Sequence, residues 1–152
     1  MENKTQTLLK LWLEARTRFS NQLEALTESD LRKRLGDSPN TVGFLMRHIG
    51  DVELLFAKNV FGDDSVKVTA KTVIAKADTG EWTHLEELRA YVKTSKDKLQ
   101  AIVTQQTDTD WEDSISTKEF GTKTKAEAFG RIISHTTYHA GQMAIILKYG
   151  NA

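Results

Sequence analysis

Four stretches of the chain place apolar residues every three or four positions, and each reads as an amphipathic helix. In the first, from about Thr5 to Leu26, the stripe is Leu8, Trp12, Ala15, Phe19, Leu23 and Leu26, with Lys10, Glu14, Arg18 and Glu24 largely off it. The second follows the cap pair Asn40-Thr41 and carries Leu45, Ile49, Val52 and Phe56, fading near Val60. The third opens at Thr83 with Glu86 three residues on, a capping-box spacing, and presents Leu85, Leu88, Val92, Leu99 and Ile102 with Tyr91 beside them. The fourth opens near Thr124 with Glu127 in the same spacing. Its face is Phe129, Ile132, Ile133, Met143, Ile146 and Leu147; Lys148 sits in the last turn and Gly150 stands where a left-handed stop belongs.

Each helix has roughly five to seven turns, about 25–40 Å at 1.5 Å per residue. Four helices of matched length predict an all-α chain folded as a four-helix bundle. The longest connection, about 61 to 82, is able to cross the length of a helix, so the second and third helices can run parallel. The other two connections have roughly 14 to 17 residues, against about 2–8 for ordinary bundle turns. A helical turn around Ser29–Arg34 fills the first, and a small hairpin from Trp111–Ile115 and Lys118–Phe120 fills the second. No repeat or linker divides residues 1–152, so one domain is expected.

Composition then narrows the chemistry. Lys and Arg number 21, as do Asp and Glu, and the balance is local, with twelve basic and ten acidic residues in 1–76. That is unlike a surface built for phosphate backbones. Arg32-Lys33-Arg34, flanked by Asp30 and Asp37, reads as a solvated face. No nucleic-acid partner is expected. No apolar run approaches the roughly 20 residues of a membrane span. Met1-Glu2-Asn3-Lys4 lacks a signal-peptide layout, so the expected location is cytoplasmic, away from membranes. The chain has no cysteine, which removes disulfides and thiolate ligands, and it has four histidines.

Three of those histidines belong together. His135 and His139 are four apart on the fourth helix and so share a face, beside Ile132, Gln142 and Ile146. His48 lies on the edge of the second helix's buried face, among Phe44, Leu45, Asp51 and Val52. A bundle that packs these helices together brings three imidazoles to one point. Three protein ligands with a fourth position open is the layout of a catalytic metal centre. Partly buried histidines hydrogen-bonded in place explain the same spacing. His84, near the start of the third helix, has no such companion and reads as a helix-start residue.

At these residues the sequence resembles the DinB/YfiT-like superfamily of metal-binding four-helix bundles. The likeness rests on two blocks. One is Asn40-Thr41-Val42-Gly43-Phe44-Leu45-Met46-Arg47-His48-Ile49. The other runs from Ile133 to Gln142 and matches the family's H-x-x-x-H-x-G-Q as His135, His139, Gly141 and Gln142. The resemblance implies an up-down-down-up bundle and a metal site of His48, His135 and His139, most often for zinc or nickel. It also implies a homodimer. Ala140 departs from the family, where many members carry arginine. Some members are transferases that use low-molecular-weight thiols.

The expectation is therefore a metal-dependent enzyme for a small molecule, of thiol-transferase or hydrolase type. The alternative is a non-catalytic metal-binding or dimerising bundle of a stress response. Asp51, one turn from His48, is a candidate to orient an imidazole or act as a base, and Gln142 a candidate hydrogen-bond donor near the site. Glu53 and Tyr138 read as surface and packing residues. Ser134 beside His135 makes no dyad, because adjacent helical side chains diverge by about 100°.

Overall fold

The structure, a computed structural model, describes residues 3–152. It is mostly helical. Four long helices account for the four periodic stretches: α1 (Lys4–Leu23), α2 (Val42–Asn59), α4 (Leu85–Thr104) and α5 (Lys125–Tyr149). A fifth, short helix, α3 (Lys71–Ala75), lies within the long connection and was not foreseen. Strands β1 (Ser114–Thr117) and β2 (Gly121–Thr124) form an antiparallel pair before α5. Helix α2 packs on α4 and α5, and α1 packs on α5 and α4.

Local chemistry explains the boundaries. Asn3 caps α1 in a reciprocal box with Gln6, a signal that the apolar stripe did not reveal. Thr41 accepts from Phe44 N at 3.1 Å and starts α2. Thr124 and Glu127 form the expected box at α5. The matching box expected at Thr83 and Glu86 does not form. Thr83 N–H instead donates to Glu81 O at 3.1 Å, His84 takes the cap position without a side-chain bond, and Glu86 accepts from Arg89 at 2.7 Å. At the other end of α5, Gly150 has φ −81°, so it is not a left-handed stop. The chain leaves extended because Asn151 pairs with Arg34 through two backbone bonds of 2.9 and 3.0 Å.

The two fillers of the shorter connections also settle differently in detail. The first is a 3-10 turn at Glu28–Arg32. The hairpin lies further along the chain than expected, because Trp111 is fully buried in a 3-10 turn where its indole N–H donates to Thr5 Oγ1 at 2.7 Å. Lys118, Glu119 and Phe120 then make the reversal, with Gly121 at φ +71°. Of the basic triplet, Lys33 pairs with Asp30 and Arg34 with Asp78, as a solvated face would.

The interior has two apolar clusters. One contains Phe19, Leu45, Ile49, Val92 and Met143, the other Trp12, Phe56, Leu99, Phe129 and Ile132. Between them runs a buried polar layer. Arg16 of α1 donates to both oxygens of Glu53 of α2, at 2.6 and 3.2 Å, and to Val92 O at 2.9 Å. Ser95 of α4 donates to Glu53 at 2.6 Å. Glu53, expected at the surface, is fully buried, because this guanidinium neutralises it and every oxygen finds a donor.

Candidate metal centre

Helices α2 and α5 bring His48, His135 and His139 together. Ring centroids are 4.9 Å apart for His48 with either partner and 4.4 Å for the α5 pair. One ligand nitrogen from each lies within 4.8 Å of the others. Nitrogens bound tetrahedrally to one zinc at about 2.0–2.1 Å stand about 3.3–3.4 Å apart, so rings as much as 4.8 Å apart close by up to about 1.4 Å to share an ion.

Each ring is held differently. His48 stacks on Phe44, with centroids 5.6 Å apart and planes 8° from parallel, and its Nδ1 is 3.0 Å from Thr72 Oγ1. Its Nε2 is 3.1 Å from His135 Nε2. His139 Nδ1 donates to Gln142 Oε1 at 2.7 Å, which leaves its Nε2 as the lone-pair nitrogen. His135 Nδ1 is buried and has no hydrogen-bond partner among the described residues.

Burial is the main cause that holds all three imidazoles below the ordinary histidine value. His48 is lowered to about 4 by burial and then by His139, with Asp51 opposing. His135 is lowered to about 3 by burial, then by His139, His48 and Arg131. His139 is lowered by burial against the opposing bond from Gln142. Three neutral imidazoles near pH 7 are the form that ligates a metal. The donor set fits a divalent ion.

The site opens on a cleft of about 540 Å³, walled by Val52, Phe56 and Tyr138, with His135, Arg131 and Glu119 along it. A recess of about 210 Å³ shares several of these walls and touches all three histidines. Arg131 lies one turn before His135, and its guanidinium is 3.5 Å from Glu119 of the hairpin reversal. These two charges at the cleft were missed in the sequence. The i, i+4 spacing of Arg131 and His135 was visible, but Glu119 needed the hairpin.

The family comparison agrees with this geometry. A family model for the DinB superfamily matches residues 11–143, which include all three histidines. The chain belongs to the DinB superfamily. No curated protein gives a significant match. In this DinB-superfamily chain Ala140 is almost fully buried beside His139, so the position that carries arginine in the resemblance is here a packing site.

The remaining sequence candidates separate. Asp51 is fully buried and touches no histidine directly. Its Oδ2 accepts from Thr72 Oγ1 at 2.7 Å and Thr72 N at 3.0 Å, and its Oδ1 from Tyr91 at 2.5 Å and Arg47 Nε at 2.9 Å. Burial, then the bond to Asp51, raises the Tyr91 hydroxyl well above its ordinary range and keeps it a donor. Gln142 reaches the site through His139. Tyr138 is exposed and stands with its ring 5.1 Å from that of His139. Ser134 spends its hydroxyl proton on Arg131 O at 3.0 Å. His84 is exposed and apart from the site.

Proposed function

We propose that this protein is a divalent-metal enzyme for a small molecule, with His48, His135 and His139 as ligands of zinc or nickel. The observation that carries the reading is the meeting of three neutral imidazoles on the wall of an open cleft. A bound divalent ion supplies Lewis acidity, which lowers the pKa of a water or a thiol toward neutrality. The protein's own part is to hold the three rings, to exclude water with Val52 and Phe56, and to select substrate. Arg131 offers an anionic group a planar pair of donors, and its exposed pairing with Glu119 is weak enough to exchange. Gln142 holds the His139 ring, and Asp51 acts from behind Thr72.

Thiol transfer and hydrolysis both use this arrangement, and the absence of cysteine suits a thiol brought as co-substrate. We place the chain in an up-down-down-up four-helix bundle in the cytoplasm; no described helix is long and apolar enough to cross a membrane. A homodimer fits the exposed stripe of Tyr138, Ile145 and Tyr149 on α5.

The test is metal content of untagged protein by elemental analysis. Close to one ion per chain is expected, falling by most of its value in His48→Ala and His139→Ala. Unchanged metal in both variants would remove the site. For the activity, metal-loaded protein is offered an electrophile panel with several thiols; absence of any thiol-dependent rate would exclude the transferase reading.

A further inference from the structure

The contact between His48 and Thr72 has a direction that can be worked out from its partners. Asp51 presents two carboxyl oxygens to four groups, and every one of them is a donor: Thr72 N–H, Thr72 O–H, the Tyr91 hydroxyl and Arg47 Nε. That is the pattern of an acceptor-only carboxylate. The single hydroxyl proton of Thr72 is therefore committed to Asp51, at 2.7 Å. What Thr72 Oγ1 has left for His48 Nδ1, 3.0 Å away, is a lone pair. His48 must donate there, so its proton sits on Nδ1 and its free lone pair on Nε2. That nitrogen is the one that faces the other imidazoles, 3.1 Å from His135 Nε2.

We infer that Thr72, with its hydroxyl oriented by Asp51, is the positioning residue that fixes the His48 tautomer and aims its Nε2 lone pair into the tri-histidine site. The arrangement is built, not incidental. Thr72 is fully buried. It rides on α3, whose flanking residues Ala70 and Lys76 both take left-handed backbone, at φ +50° and +59°. Non-glycine residues adopt that conformation only at a steric cost, so the surrounding contacts must hold the segment down. Asp51 does so through the Thr72 backbone N–H as well as its hydroxyl. Arg47 in turn lies over the Tyr91 ring, 3.8 Å from its centroid, and keeps both donors on Asp51. One carboxylate thus anchors α3 and orients the hydroxyl that orients the ligand, in the way outer partners of metal histidines generally act.

The role as a ligand partner rests on the metal reading above, but the tautomer does not, and the experiment separates them. Metal-free protein labelled with ¹⁵N-histidine is examined by long-range ¹H–¹⁵N correlation. His48 is expected to carry its proton on Nδ1; a proton on Nε2 in the wild type overturns the proposal, whatever the protein binds. Zinc affinity is then measured by competition with a chromogenic chelator in wild type, Thr72→Val and Thr72→Ser. Thr72→Val is expected to bind about 10–100-fold more weakly and to lose the fixed Nδ1–H form, with Thr72→Ser restoring both. A folded Thr72→Val protein with wild-type tautomer and affinity overturns the proposal. If Thr72→Val fails to fold, Asp51→Ala, which removes the acceptor of the threonine proton, must disturb the His48 tautomer, and an unchanged tautomer there overturns it equally. Wild-type protein that binds no zinc or nickel, yet shows the Nδ1–H tautomer lost in Thr72→Val, supports the relay and rejects the metal function.

Discussion

Glu53 brings a carboxylate to the centre of the interior with no exposed atom, against an Arg16 side chain that is only 4% exposed. Removing one partner leaves the other charge buried and alone, which costs about 3–5 kcal/mol, whereas replacing both with apolar groups is often close to neutral. Glu53→Ala is therefore expected to lose about 3–5 kcal/mol in urea unfolding, and the double change Arg16→Met with Glu53→Leu to lose less than Glu53→Ala alone. Equal or greater loss in the double variant would mean that the pair itself stabilises. This pair also shows what single residues conceal in a sequence. A helical period recognises apolar residues, so Arg16, which lies between Trp12 and Phe19 on one stripe, looks like an interruption. The histidines were legible because two of them repeat at four residues on a face already marked as apolar. Thr72 was not, since its meaning comes from Asp51, 21 positions away, and no local pattern links them.

At the scale of elements, the four long helices were readable because each has its own period and, at α2 and α5, its own cap. The fifth was hidden by its length, five residues enclosed between two left-handed ones, which no apolar repeat can announce. The hairpin was displaced by a single side chain, Trp111, which found its partner on α1. Close approach between elements is equally non-local. A Cβ on Gly50 would lie 2.7 and 2.8 Å from two atoms of the Tyr91 ring, which is held between Arg47 and Asp51. Gly50→Ala is expected to destabilise by about 1–3 kcal/mol through this overpacking. In a Tyr91→Ala background the same change should be much milder, since neighbours in contact do not act additively. A double-mutant cycle from urea midpoints measures the coupling, and a value near zero would place the strain elsewhere.

For the whole molecule, the buried imidazoles couple stability to pH. Unfolded, His48 and His135 take up protons near pH 6.5; folded, they do so only near 4 and 3, because burial disfavours the charged form. Between these values the unfolded chain binds more protons, so stability rises with pH and is lost on acidification. Metal-free protein should thus show a falling urea midpoint from about pH 6.5 toward 4, with little change from these groups above it. His135→Asn should flatten that slope, and a variant as steep as wild type would assign the effect to other groups.

The polar layer has a consequence for how the helices find their alignment. Apolar stripes are forgiving, since a helix shifted by one turn along its neighbour still meets leucines, valines and phenylalanines. Arg16, Glu53 and Ser95 are not. A one-turn slip of α1 would set a guanidinium against hydrocarbon and strand the carboxylate on α2. The layer therefore works as a vernier mark, admitting one axial setting of α1, α2 and α4. Of the two helices that carry the histidines this fixes α2, and with it His48, although none of the three marking residues touches the site. The α5 pair takes its position instead from apolar packing through Phe129, Ile132, Met143 and Ile146, so changes there should move His135 and His139 while His48 keeps its place.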